Sequence, residues 1–141
     1  MLKEMPIGEA ARQSGVKVPT IRYYEQIGLL PSPVRSGGNR RSYDGSDVRR
    51  LAFIRHSREL GFEIDAIRTL LTLQDDPHQP CATADTIAKA RLVEVEQRIR
   101  SLTALKAELE TMIDGCKQDC IAECRVIEVL ADHAKCAHIE H

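Results

Sequence analysis

The chain has no tryptophan, and aromatic residues make up only 4% of its 141 positions. That scarcity argues against a β-sandwich or barrel, whose strands lean on aromatic cross-strand pairs. No apolar run approaches the roughly 18 residues that a membrane-spanning helix needs. Met1-Leu2-Lys3-Glu4 opens no signal-peptide stretch, so a cytoplasmic protein without a membrane partner is expected. A Gly-rich phosphate loop, a nucleophile elbow and an H-E-x-x-H motif are all lacking. Nothing therefore points to an enzyme. The 5 cysteines are an odd number, which in a reducing compartment favours thiols for metal or redox work over a disulfide framework.

The net charge of −1 conceals an asymmetry. Residues 1–70 carry 12 Lys/Arg against 8 Asp/Glu, and residues 71–141 carry 8 against 13. Between residues 20 and 58 the balance is 8 to 3, and every base is an arginine. A basic head on an acidic tail suits a head that meets a polyanion.

The local signals describe a mainly α protein. Ile7, Ala10 and Ala11 mark a first helix that Ser14-Gly15 ends. Val18-Pro19-Thr20 starts a second, with proline in the first turn. Two short helices about a tight glycine-containing turn are a helix-turn-helix pattern. Gly37-Gly38-Asn39, between short extended runs with basic flanks, predicts a hairpin beside it, a wing. Asp44 or Ser46 caps a third helix that ends at Leu60-Gly61, and Glu63 or Asp65 opens a fourth. Asp75-Asp76-Pro77-His78-Gln79-Pro80 then breaks the chain. The expected organisation is a DNA-binding domain over 1–74, a linker over 75–80, a dimerisation helix over 81–115, and a loop, short helix and His/Cys tail over 116–141.

From Cys81 to Gly115 there is neither proline nor internal glycine. Leu92, Val95, Ile99 and Leu102 step by 3-4-3, and Leu105, Leu109, Met112 and Cys116 continue by 4-3-4 after one short step. This heptad-like seam with one stammer predicts a coiled-coil dimer. The alternative is a helix packed on the head.

In the second helix Thr20, Arg22 and Tyr23 offer donors for base edges and phosphates, while Tyr24 is read as core. On the wing Arg35, Asn39, Arg40, Arg41 and Tyr43 are the candidate DNA contacts. His56, on the third helix, is read as structural or near phosphate.

Cys81 and Cys116 stand at the two ends of the long helix, roughly 50 Å apart at 1.5 Å per residue. They cannot share an ion within one chain. In an antiparallel dimer, Cys81 of one subunit meets Cys116 of its partner. Cys124 closes the loop 117–123, so three thiolates can converge at each end of the coiled coil. Cys120 is either a fourth ligand or an unliganded surface thiol. Thiolates select soft ions such as zinc, cadmium, mercury, lead or copper(I). His133, Cys136 and His138 form either a weaker site or a tail with chance histidines, and His78 is either a ligand or solvated.

Several of these motifs coincide with a known family. Ile7-Gly8-Glu9-Ala10-Ala11, Val18-Pro19-Thr20-Ile21-Arg22-Tyr23-Tyr24-Glu25, Gly28-Leu29-Leu30-Pro31, and the spaced Arg35, Gly38-Asn39, Arg41 and Tyr43 resemble the MerR family. Asp47-Val48, Arg50-Leu51, Phe53-Ile54-Arg55 and Leu60-Gly61-Phe62 continue the likeness, which spans residues 7–73. The resemblance implies a homodimeric transcription regulator with a winged helix-turn-helix and an antiparallel coiled coil. It implies binding to promoter DNA with an overlong spacer, which effector binding twists so that RNA polymerase reads both elements. Arg40 and Ser42 depart from the usual wing, where an aromatic and a leucine stand. The resemblance also implies metal ligands at Cys81, Cys116 and Cys124. A cysteine at the first of these marks members that sense divalent ions, whereas copper(I) and gold sensors carry serine there. Zinc, cadmium, lead and mercury are left unseparated. The alternative is a copper(I)-responsive or thiol-redox-responsive regulator of the same fold.

Overall fold

The computed structural model describes residues 4–31, the backbone of 34–35, and residues 41–115 and 124–132. These form helices α1 (Ile7–Ser14) and α2 (Val18–Gln26), strands β1 (Val34–Arg35) and β2 (Arg41–Ser42), and helices α3 (Gly45–Glu59), α4 (Ile64–Gln74), α5 (Ala82–Asp114) and α6 (Arg125–Ala131). The chain divides into two compact units, Met1–Ile87 and Ala88–His141.

Local chemistry sets the ends of the first helices. α1 stops because Gly15 turns left-handed, at φ 76°. A side chain there would be strained by that φ, and its Cβ would lie 3.0 Å from the Arg55 Nε. α2 starts with Pro19 in its first turn, where a missing N–H costs nothing. α3 carries a full capping box. The Asp44 side chain accepts from the Ser46 and Asp47 amides at 2.9 and 3.1 Å, and the Asp47 carboxylate accepts from the Asp44 amide at 3.0 Å. Asp44, not Ser46, is the cap. α4 begins after Glu63, whose side chain makes no capping bond.

The first unit has one apolar core. Ile21 and Tyr24 of α2, Leu51 and Ile54 of α3, and Ile67 and Leu71 of α4 close on Ala10, Leu29 and Leu30. The wing pairs antiparallel in the register Val34↔Ser42 and Arg35↔Arg41. Its second strand continues into an isolated bridge between Tyr43 and Met5, bonded at 2.7 and 2.8 Å. The wing is thus stitched to the chain's beginning.

In α5, the seam positions Leu92, Ile99, Leu102 and Leu109 are each more than half exposed. A row of large apolar side chains left open on a long helix needs a partner. Met112, expected in the same seam, is already covered within its own chain at 4% exposure, as is Val129 of α6. Among the described residues no helix is long and apolar enough to cross a membrane.

The Asp44 cap yields a stability prediction. Hydrogen bonds to the α3 amides hold the Asp44 carboxyl below its usual range, whereas burial raises that of Asp47. A depressed carboxyl stabilises the fold above its unfolded pKa, and that share is lost as pH falls through the folded one. Asp44→Ala is expected to cost about 1 kcal/mol at pH 7. The gap in urea midpoint between variant and wild type is expected to shrink by pH 3, as protonation removes the cap from the wild type too.

Candidate DNA interface and metal centre

α2 presents its outward face through Arg22 and Tyr23. Arg22 is exposed and Tyr23 is 49% exposed, while Tyr24 is buried at 7%. The α2 period explains the split, because Ile21 and Tyr24 turn into the core while Arg22 and Tyr23 turn outward. The Tyr23 and Tyr24 rings lie 5.9 Å apart between centroids, tilted by 46°. Thr20 is half-buried and lines a cleft of about 400 Å³ with Lys17, Arg55, Arg58 and Glu59. Lys17, Arg55 and Arg58 are not among the DNA contacts expected from the sequence. Arg55 and Arg58 belong to the basic stretch, and Arg55 also to the family-like motif Phe53-Ile54-Arg55.

Much of that basic charge is engaged inside the head. The Arg55 Nε donates to the Ser14 carbonyl at 3.0 Å, capping the end of α1. The Arg50 Nε donates to the Leu29 carbonyl at 2.8 Å, and its Nη1 to both Asp75 oxygens at 3.0 and 3.2 Å. Arg58 donates to the Phe62 carbonyl at 2.8 Å.

The wing requires a correction. Tyr43, expected to contact DNA, is 1% exposed. Its hydroxyl donates to Glu25 Oε1 of α2. Burial first, and then that bond, hold the phenol well above its usual pKa. Such a group is core, not a phosphate ligand. Its bridge to Met5 draws it inward, and no local pattern in the wing reveals that bridge. Arg41 is divided. Its Nη1 donates to Glu25 Oε2 at 2.8 Å, and its side chain is 37% exposed. Of Arg35 only the backbone is described, and Asn39 and Arg40 lie outside the described residues.

For the metal centre, Cys81 is exposed just before α5 and Cys124 is half-buried at the N-cap of α6. Cys116, Cys120, His133, Cys136 and His138 lie outside the described residues. His78 is exposed, and no group of metal-ligating side chains is assembled among the described residues. The two described edges of the cysteine loop do meet. A Cβ at Gly115 would fall 2.7 Å from the Arg125 Cγ, so only glycine admits this approach of α6 to the end of α5. The donor chemistry fits a soft ion, because thiols stand at both edges of this segment and at the head of α5.

The chain matches two family models, "MerR HTH family regulatory protein" over residues 5–74 and "MerR, DNA binding" over residues 48–112. It is 41% identical over 130 residues to the HTH-type transcriptional regulator HmrR of Rhizobium leguminosarum bv. viciae, covering 92% of this chain and 100% of that one. It resembles the crystal structure of the transcription regulator PbrR691 from Ralstonia metallidurans CH34 in complex with lead(II), with a TM-score of 0.76 and 37% identity over 89% of this chain and 98% of that one. It also resembles the mercury(II) complex of the regulator MerR from Bacillus megaterium MB1, with a TM-score of 0.67 and 32% identity over 91% and 100% of the two chains. These models and relatives describe transcription regulators, not enzymes. The winged helix-turn-helix, the long helix after it and these likenesses agree: this chain is a member of the MerR family of helix-turn-helix transcription regulators.

Proposed function

We propose that the protein is a metal-responsive transcription regulator of the cytoplasm. It binds promoter DNA as a homodimer, and a divalent soft metal ion — zinc, cadmium, lead or mercury — is its effector. The observation that carries the metal reading is the contact of Gly115 with Arg125. It brings together the described residues on either side of the segment 116–124, which begins at Cys116 and ends at Cys124. That the relatives' solved structures hold lead(II) and mercury(II) supports a soft ion, without choosing one.

Cys116 and Cys124 of one subunit and Cys81 of the partner subunit would hold the ion, with Cys120 as a candidate fourth ligand. When bound, the ion supplies the attraction that draws these thiolates to one point. The cross-subunit site needs an unbroken helix between Cys81 and the loop, and α5 is continuous from Ala82 to Asp114. The open row Leu92, Ile99, Leu102 and Leu109 is the surface for the second α5. Thr20, Arg22 and Tyr23 read or grip the operator, with Arg35, Asn39 and Arg40 of the wing on phosphates. Arg50 ties the segment after α2 to Asp75, the residue at which α4 ends. Movement of the chain at Asp75 therefore reaches α2 through one guanidinium. The twist imposed on the DNA then lets RNA polymerase start transcription.

Four outcomes are expected. Arg22→Ala lowers operator affinity by about 1–3 kcal/mol with the melting temperature unchanged, measured by fluorescence anisotropy against a duplex selected by the wild type. Leu102→Asp converts the dimer to monomer in analytical ultracentrifugation. Cys116→Ser keeps operator binding but abolishes metal-induced transcription in vitro, and Cys81→Ser weakens divalent-metal binding followed by thiolate-to-metal absorbance. Full induction in Cys116→Ser would overturn the metal assignment.

A further inference from the structure

The wing is too small to hold itself. Its strands are two residues each, and an isolated two-stranded hairpin is at best marginally stable in water. Something outside the hairpin must fix its place.

Glu25 of α2 does so. Its side chain is only 7% exposed, and a glutamate is rarely so covered unless it is paired. Both carboxylate oxygens turn to the wing. Oε2 accepts from the Arg41 Nη1 at 2.8 Å, and Oε1 accepts from the Tyr43 hydroxyl. Charge-assisted bonds of this kind are shorter and stronger than neutral ones. Glu25 neutralises Arg41 and fastens the strand at two points, 16 and 18 residues away in sequence. It also stands three residues after the exposed Arg22, on the same helix and one turn on. The distance between the helix that reads DNA and the wing beside it is therefore set through one side chain.

We infer that Glu25 is a positioning residue for DNA recognition: its carboxylate, clamped by Arg41 and Tyr43, fixes the wing to the recognition helix, and Arg41 serves as a strut instead of a phosphate ligand. The DNA part of this inference rests on the reading that helix and wing meet one duplex. The clamp itself does not.

The test uses the full chain and the variants Glu25→Gln, Arg41→Ala and the double variant. Amide hydrogen exchange of the DNA-free protein tests the clamp alone. Glu25→Gln should speed exchange at Arg41, Ser42 and Tyr43 about tenfold, while Leu51 and Ile54 of α3 keep their protection. Unchanged exchange in the wing overturns the clamp. Binding is then measured on a duplex selected by the wild type from a random-sequence pool. Each single variant should bind about tenfold more weakly, the double no more weakly than the worse single, and ethylation interference should lose its outer phosphates first. If Arg41 were itself the phosphate ligand, Glu25→Gln would release it, and binding would hold or tighten. That result overturns the positioning role, as does faster exchange with unaltered binding. If Glu25→Gln does not fold, Tyr43→Phe, which keeps the buried ring and removes one arm of the clamp, gives the same two readouts. A wild type that selects no duplex would overturn the DNA reading and leave the exchange result to decide the clamp.

Discussion

The architecture of the head depends on two arginines of α3 that reach for carbonyls at the ends of other elements. A helix leaves its last carbonyls without partners, and a short helix has few internal bonds with which to tolerate that loss. α1 has eight residues and α2 nine. Arg55 closes the end of α1 at Ser14, and Arg50 closes the chain beyond α2 at Leu29, with bonds of 3.0 and 2.8 Å. Both belong to one rigid helix of fifteen residues. The angle between α1 and α2 is therefore held by a third element as well as by the turn between them. Gly15 belongs to the same device, because a larger residue would meet the Arg55 side chain.

This changes what the basic charge of the head means. Eight arginines between residues 20 and 58 suggest a surface made for phosphate. Yet Arg41, Arg50, Arg55 and Arg58 each donate to a group within the protein. Guanidinium suits that work, since its five donors can serve several acceptors and it never deprotonates. Such a residue can cap a carbonyl with one edge and keep another for solvent or DNA. Net charge therefore measures the field that steers the head to DNA, and it overstates the number of contacts made on arrival.

What the sequence made legible follows the range of the interactions. Pro19, Gly15 and Asp44 act within a few residues of themselves, so α1, α2 and α3 begin and end where local chemistry places them. The split between Tyr23 and Tyr24 follows from helical period alone. The burial of Tyr43 is not legible locally, because it depends on Met5, 38 positions earlier, while its neighbours Arg40 and Arg41 advertise a wet, basic wing. The role of Glu25 is hidden for the same reason, since a lone glutamate on an amphipathic helix looks like solvent surface until its partners arrive from the wing. The spacing of Cys81, Cys116 and Cys124 is plain in the sequence. Met112 shows the limit of reading a seam by period, because the same 3-4 spacing describes a residue facing another chain and one covered within its own.

The proposed division of the metal ligands between subunits bears on how a signal can arise at all. An effector shifts an equilibrium only by the difference between its affinities for the two states. In the proposed site Cys116 and Cys124 belong to one subunit, next in sequence to Gly115 and Arg125, which pack together. Ligands whose spacing is set within one subunit add affinity equally to both states. They can make binding tight, but they cannot make it informative. On this proposal Cys81 differs because it would come from the other subunit, and its reach would depend on how the two long helices are disposed. The differential part of the binding energy would then lie in that one thiolate. The ion would drive the heads toward one arrangement only to the extent that this arrangement brings Cys81 of the partner subunit within bonding distance.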